Sequence, residues 1–366
     1  MDTRSVAIKH DRALEPQATN VNAPSKSSWI KVVAIGLAVG LTVAVLAKRS
    51  SNLSRKEEPV PPAAEVWRNI FARPNAIPAP ADNSLTASKI AVGKSLFFDT
   101  RLSGDGRRSC ASCHNPTKGF SDGRALALGR NGQPLLRNTL ALWNLAWGTS
   151  FYWDGRKTSL EAQARVPIEH PNEMNGSLDT IVDILKRDAD YREQFRQAFP
   201  TTGKINPNTI LQAIASFERS LVSPRTRFDR WIAGDRSAMT TSEHRGFELF
   251  VGKAGCLACH GGWRFTDERF HDIGLRTSDL GRGALANIDG PRVPRFKTPG
   301  LRELAHSAPY MHDGSIRSLD QVIAHYAGGF VDRPSLAANI VRDLKLTREE
   351  RNDLVAFLGT LSSSAQ

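Results

Sequence analysis

The chain has 366 residues, of which 40% are hydrophobic and 23% charged, with a formal net charge of +12 at pH 7. That length holds two domains plus appendages, and the composition is that of ordinary globular protein. The basic excess is mild for a chain this long and no basic helix interleaves with aromatics, which excludes nucleic acid as a partner.

Residues 1–29 read as an N-terminal tail. Val32 to Ala47 is an uninterrupted apolar run, extended by Trp29 and Ile30 with Lys31 able to snorkel. Residues 30–47 are expected to be a transmembrane signal anchor, or else a signal peptide cut after Ala47. The arm before the run is long for a signal peptide, which favours the anchor. Lys48, Arg49, Arg55 and Lys56 follow it and blur the positive-inside test. Either reading exports the rest of the chain. Residues 48–64, with Glu57-Glu58-Pro59 and Pro61-Pro62, read as an exposed linker.

Beyond the linker the pattern is helical, with very few strand signals. Thr86 caps a helix carrying Ile90, Leu96 and Phe97 on one side. Ser177 caps Leu178–Arg187, and Asn206-Pro207 opens a helix over Asn208–Leu221 with Ile210, Leu211, Ile214 and Phe217. Thr241 starts another helix through Phe247 and Phe250. Thr347 starts the last, through Leu354, Phe357 and Leu358. Segments 98–157 and 261–316 are instead irregular and glycine-rich, and long irregular segments inside a compact domain are often functional. Pro224 and Gly234, in a charged connector, place a boundary between about 222 and 240. The expected domains are 65–230 and 231–366.

Every cysteine falls in one of two Cys-x-x-Cys-His copies: Cys110-Ala111-Ser112-Cys113-His114 and Cys256-Leu257-Ala258-Cys259-His260. That spacing attaches c-type haem, the thiols forming thioethers and the histidine binding iron. A zinc site needs four converging ligands, and a dithiol redox motif needs no following histidine. Two covalently bound haem c groups are therefore expected, held by Cys110, Cys113 and His114 and by Cys256, Cys259 and His260.

Phe97-Phe98-Asp99-Thr100-Arg101-Leu102-Ser103, running into the first haem motif and Asn115-Pro116, resembles the bacterial di-haem cytochrome c peroxidase family. The likeness continues through Arg137-Asn138-Thr139, Trp153-Asp154-Gly155-Arg156, Pro171-Asn172-Glu173-Met174, Lys297-Thr298-Pro299 and Ala308-Pro309-Tyr310-Met311-His312-Asp313-Gly314. The resemblance implies an all-α fold of two cytochrome c-like domains, each with one covalent haem, here preceded by the membrane anchor or signal segment. It also implies a periplasmic enzyme that reduces hydrogen peroxide with electrons from a small c-type cytochrome or similar donor. Glu173 is similar to the family's distal acid–base carboxylate, and Gln163 to a neighbouring distal residue. Trp153 matches the tryptophan that couples the haems, with packing as a second role. Asn138, with the carbonyls of Ser307 and Pro309, resembles the ligand set of a calcium ion between the domains.

Two departures are informative. Many family members carry a second histidine soon after the first haem motif, but no histidine lies between His114 and His170 here. The His114 haem is thus expected to keep an open position. Where the peroxidases place a methionine on the second haem, this chain has Tyr326, as MauG-like members do; His325 and Met311 are rival ligands. This electronic type opens an alternative function, a maturase using a high-valent di-haem state to oxidise residues of a partner protein. A non-catalytic electron carrier would need both haems capped.

Overall fold

The computed structural model describes residues 59–286 and 290–363. The tail, the apolar segment 30–47 and most of the expected linker lie outside the described residues. Among the described residues, no helix is long and apolar enough to cross a membrane.

In chain order the helices are α1 (Glu65–Phe71), α2 (Ala87–Phe98), α3 (Leu160–Glu169), α4 (Leu178–Arg187) and α5 (Ala189–Ala198). They continue with α6 (Pro207–Ser220), α7 (Arg227–Ile232), α8 (Thr241–Val251), α9 (Leu319–Ala324) and α10 (Arg348–Gly359). One antiparallel ribbon, β1 (Phe270–His271) with β2 (Phe296–Lys297), pairs His271 with Phe296. The helix starts follow local chemistry. The Thr86 hydroxyl accepts from Lys89 N at 3.2 Å, and the Asn206 and Thr347 side chains close capping boxes with Thr209 and Glu350. Thr240, one residue before the expected Thr241, caps α8 with Glu243 as its reciprocal partner.

The two halves repeat one packing device. Helices α2 and α6 cross where Gly93 meets the backbone of α6, and a Cβ there would overlap the Ala213 carbonyl oxygen. Helices α8 and α10 cross in the same way at Gly246, against the Asp353 carbonyl oxygen. Four residues after each glycine stands a buried phenylalanine, Phe97 or Phe250. Four residues after each contacted carbonyl stands another, Phe217 or Phe357. Only glycine lets two helix backbones approach this closely.

Helix α1 departs from the expected domain division. Phe71 stacks on Phe265 (centroids 4.9 Å) and meets Phe228 edge-on at 5.5 Å, while Trp67 meets Phe247 edge-on at 5.5 Å. Within residues 59–64, expected to be exposed linker, Val60 and Ala63 are buried. Trp231 Nε1 donates to the Pro61 carbonyl at 3.0 Å, and Arg236 Nε to that of Val60 at 2.7 Å. The reason is hydrophobic cover. The aromatic floor made by Phe228, Phe247, Phe265 and Phe357 lies in the second half, and the apolar residues of 60–71 close over it.

Replacing Gly246 with Ala is expected to destabilise the holoprotein by about 1–3 kcal/mol through overpacking. Denaturant melts check this; an unchanged midpoint would mean that α8 and α10 are not in backbone contact.

Candidate active site

Both Cys-x-x-Cys-His segments fold as one 3-10 turn, Cys110–Ser112 and Cys256–Ala258. In each, the histidine amide donates back to the first cysteine's carbonyl, His114 to Cys110 at 2.9 Å and His260 to Cys256 at 2.8 Å. Each imidazole then donates Nδ1–H to a carbonyl a few residues on, His114 to Phe120 at 3.0 Å and His260 to Phe265 at 2.9 Å. Both acceptor residues are left-handed, with φ of 60° and 58°. A phenylalanine rarely adopts that backbone, and such conformations gather at functional sites. With Nδ1 committed, the Nε2 lone pair is free for a metal. Burial lowers the pKa of both histidines, which keeps the rings neutral. None of the four cysteines is in a disulfide. Two thiols and one neutral imidazole per turn fit covalent haem c.

A cavity adjoins the first turn, its walls including Cys110, Cys113 and His114 together with Gln163, Pro167, Glu173 and Glu218. The structure therefore brings Glu173 and Gln163 to the same space as the first haem motif. Helix α3 carries Gln163, whose Nε2 donates to the Tyr152 hydroxyl at 3.4 Å while its carbonyl accepts from that hydroxyl at 3.1 Å. Glu173 sits in the turn after α3. Met174 N donates to Pro167 O at 3.0 Å, and Gly104 N to Met174 O at 2.9 Å. A Cβ at Gly104 would strike the Asn175 carbonyl, and one at Gly176 that of Leu102, so the two loops are pressed backbone to backbone. The Glu173 side chain is 29% exposed, with His170 Nδ1 3.7 Å from its carboxyl. Burial raises its pKa against the opposing attraction of His170 and Arg156.

Trp153 is buried between the halves. Its Nε1 donates to the Asn138 carbonyl at 3.0 Å, and its own carbonyl accepts from Lys297 N at 2.8 Å. Its ring lies 6.5 Å from that of His312, which stacks on Phe296 at 3.6 Å. Beside it Arg137 bridges Asp154 at 2.6 Å and Asp279 at 2.7 Å. Asn138 N donates to the His312 carbonyl at 2.7 Å, and its Nδ2 to the Arg124 and Ala125 carbonyls at 2.7 and 3.2 Å. Asn138 thus lies against the loop that carries Ser307 and Pro309.

Tyr326 lies in a π-helical turn, His325–Gly329, that follows α9. Such turns often mark functional positions. The electrostatic neighbours of its hydroxyl are Cys256 and Cys259, and burial raises its pKa. His325 faces elsewhere, donating Nε2–H to the Ile273 carbonyl at 2.8 Å. Met311 sits inside the tight turn between Tyr310 and Ile316.

Two residues given no role by the sequence stand out. His271 Nε2 lies 2.7 Å from Asp267 Oδ2, and with Cys259 they form a close group. Glu218 lines the cavity from α6, is 5% exposed, and leaves Oε2 without a hydrogen-bond partner. Burial pushes its carboxyl up to about 8. An acid on the same helical face as Leu211 and Ile214 was the signal available in the sequence. A carboxyl whose folded value lies above its ordinary 4.5 stabilises the fold fully only below 4.5. That contribution is lost as pH rises toward about 8. Glu218→Gln carries no such loss, so the melting temperature of the variant is expected to gain on that of the unaltered protein across this window. Parallel pH dependences in thermal melts would refute the burial argument.

Residues 87–237 match the family model for di-haem cytochrome c peroxidase, and residues 244–362 that for cytochrome c. The chain is 47% identical to methylamine utilization protein MauG of Methylorubrum extorquens, over 93% of this chain and 95% of that one. It is 37% identical to cytochrome-c peroxidase IdrP1 of Denitromonas iodatirespirans, over 78% and 84%. A crystal structure of a MauG-like protein associated with microbial copper homeostasis superposes with a TM-score of 0.70 at 32% identity, covering 80% of this chain and 95% of that one.

Proposed function

The chain belongs to the di-haem cytochrome c peroxidase family, in its MauG-like subset, and on that premise we propose that it reduces hydrogen peroxide to water in the periplasm. It is an oxidoreductase carrying two haem c groups. When bound, these supply redox-active iron; the remaining work falls to side chains. His114 and His260 present Nε2 to the metal because their Nδ1 hydrogens are already committed. Glu173 moves a proton from one peroxide oxygen to the other, a task suited to a carboxyl whose pKa burial has raised. Gln163, fixed by Tyr152, orients the bound peroxide. The observation that carries the reading is the single cavity joining His114, Gln163 and Glu173.

Trp153 couples the two haem sites, a role supported by its indole bond to the Asn138 carbonyl in the first half and its carbonyl's bond from Lys297 N in the second. Tyr326 is assigned as a ligand of the second iron, ahead of His325 and Met311, on the strength of its buried hydroxyl having Cys256 and Cys259 as electrostatic neighbours. Asn138 Oδ1 and the Ser307 and Pro309 carbonyls are assigned to one calcium ion. Residues 65–230 and 231–366 are assigned one haem each, with α1 lent to the second core. The electron donor is a small c-type cytochrome or another periplasmic carrier, and residues 30–47 hold the enzyme to the inner membrane.

A second reading is favoured by Tyr326 and by the absence of a histidine between His114 and His170. In this reading His114, His260 and Tyr326 would hold the two haems, which would supply the oxidant for residues of a bound partner protein. Adding peroxide and a reduced small cytochrome c separates the two. Rapid turnover supports peroxide reduction, whereas a long-lived oxidised state with little turnover supports the partner-protein reaction. Glu173→Gln is expected to slow peroxide consumption by about 10²-fold or more; an unchanged rate removes Glu173 from the mechanism. Tyr326→Phe is expected to alter the optical spectrum of the His260 haem alone, and an unaltered spectrum transfers the ligand role to His325.

A further inference from the structure

Glu218 gives the cavity a second carboxyl for which neither the fold nor the proton relay through Glu173 has a use. It stands on α6 one turn beyond Ile214, and both residues line the cavity shared by Gln163 and Glu173. No ion pair reaches it among the described residues, and its Oε2 is buried without a partner. The charges around it are turned to other tasks. On its own helix, Arg219 donates to Glu161 at 2.7 and 2.9 Å, and that α3 carboxylate also accepts from Asn83 at 2.8 Å. On α2, Lys89 is held by Asn83 and Ser84. At the cavity wall Arg108 donates to the Leu128 and Gly129 carbonyls, and the Tyr152 hydroxyl is tied to Gln163. Glu173 is itself acidic. An ionised carboxylate in such a place is strongly disfavoured, so the group keeps its proton.

Packing does not demand an acid here. In the second half, α10 crosses α8 as α6 crosses α2, and the residue after Phe357 is Leu358, buried like Glu218 after Phe217. The same helical position is thus filled by a hydrocarbon in one half and by a carboxyl facing the cavity in the other.

We propose that Glu218 is the proton-donating acid of this cavity, supplying one of the two protons that peroxide reduction takes from outside the substrate. The proposal rests on the peroxide-reduction reading above. Hydrogen peroxide, two electrons and two protons give two waters. The O–O bond breaks, the electrons come from the reduced small cytochrome, and Glu173 carries the peroxide's own proton between its oxygens. That transfer completes the first water; Glu218 gives up its proton to the oxygen that remains, which takes its other proton from solvent and becomes the second water, and the Glu218 carboxylate is then reprotonated from solvent.

The test compares the holoprotein with Glu218→Gln and Glu218→Leu, the latter copying the second half. Infrared spectra of the unaltered protein near neutral pH are expected to contain a neutral carboxylic acid absorption that both variants lack. Both variants are expected to load two haems with unchanged resting optical spectra. For peroxide with reduced cytochrome c, kcat is expected to fall about 10²-fold or more while KM for peroxide holds. The limb of the pH profile on which activity falls as pH rises should vanish with it. Unaltered kcat in Glu218→Gln, or a neutral acid band that survives the substitution, overturns the proposal. If the unaltered protein fails to reduce peroxide at all, the functional reading falls. Loss of the infrared band in Glu218→Gln would then still establish Glu218 as the proton-holding acid, and its persistence would refute it.

Discussion

A backbone carbonyl that takes the Nδ1 hydrogen of a histidine is the constraint on which both sites depend. Phe120 and Phe265 supply it from left-handed conformations, and so fix which nitrogen of His114 and of His260 is left for iron. A side-chain acceptor would bring its own charge and titration to the ring. A peptide carbonyl brings neither, so the tautomer is held by chain geometry over any pH at which the protein stays folded. The strain at these two phenylalanines is carried by the packed aromatic floors beneath them, through Phe97 and Trp143 in the first half and Phe71 and Phe228 in the second.

What the sequence reveals and conceals follows from the range of each interaction. The caps at Thr86, Ser177, Asn206 and Thr347 act within four residues, and the helices they open begin where the pattern places them. The haem motifs are local too, which is why both turns were legible. Helix α3 was not: Pro167 sits inside it and its apolar positions are few, so it survives through packing on α6 rather than through propensity. The burial of Val60 and Ala63 depends on aromatics more than 150 positions away, and no local pattern distinguishes that from a linker. Tyr326 and His325 are adjacent in sequence, and only the π-helical turn separates one toward the cysteines from one toward Ile273. Glu218 shares a helical face with Leu211 and Ile214 in the sequence, but that this face meets a cavity depends on the fold.

The two halves also show how one scaffold carries different chemistry. They share the glycine crossing, the flanking phenylalanines and the histidine–carbonyl bond, so the frame around each attachment segment is nearly the same. The differences fall on what surrounds the haem motif: a cavity with Gln163, Glu173 and Glu218 in the first, and a buried phenol with the cysteine pair as electrostatic neighbours in the second.

Helix α1 starts the described chain yet is sewn into the far core, while Arg137 ties Asp154 to Asp279 and Trp153 is bonded on both flanks. A polypeptide laced back and forth in this manner ties its first half to its second at several separate points. The segments that carry His114 and His260 are consequently framed by one continuous set of contacts, like two windows cut in a single wall.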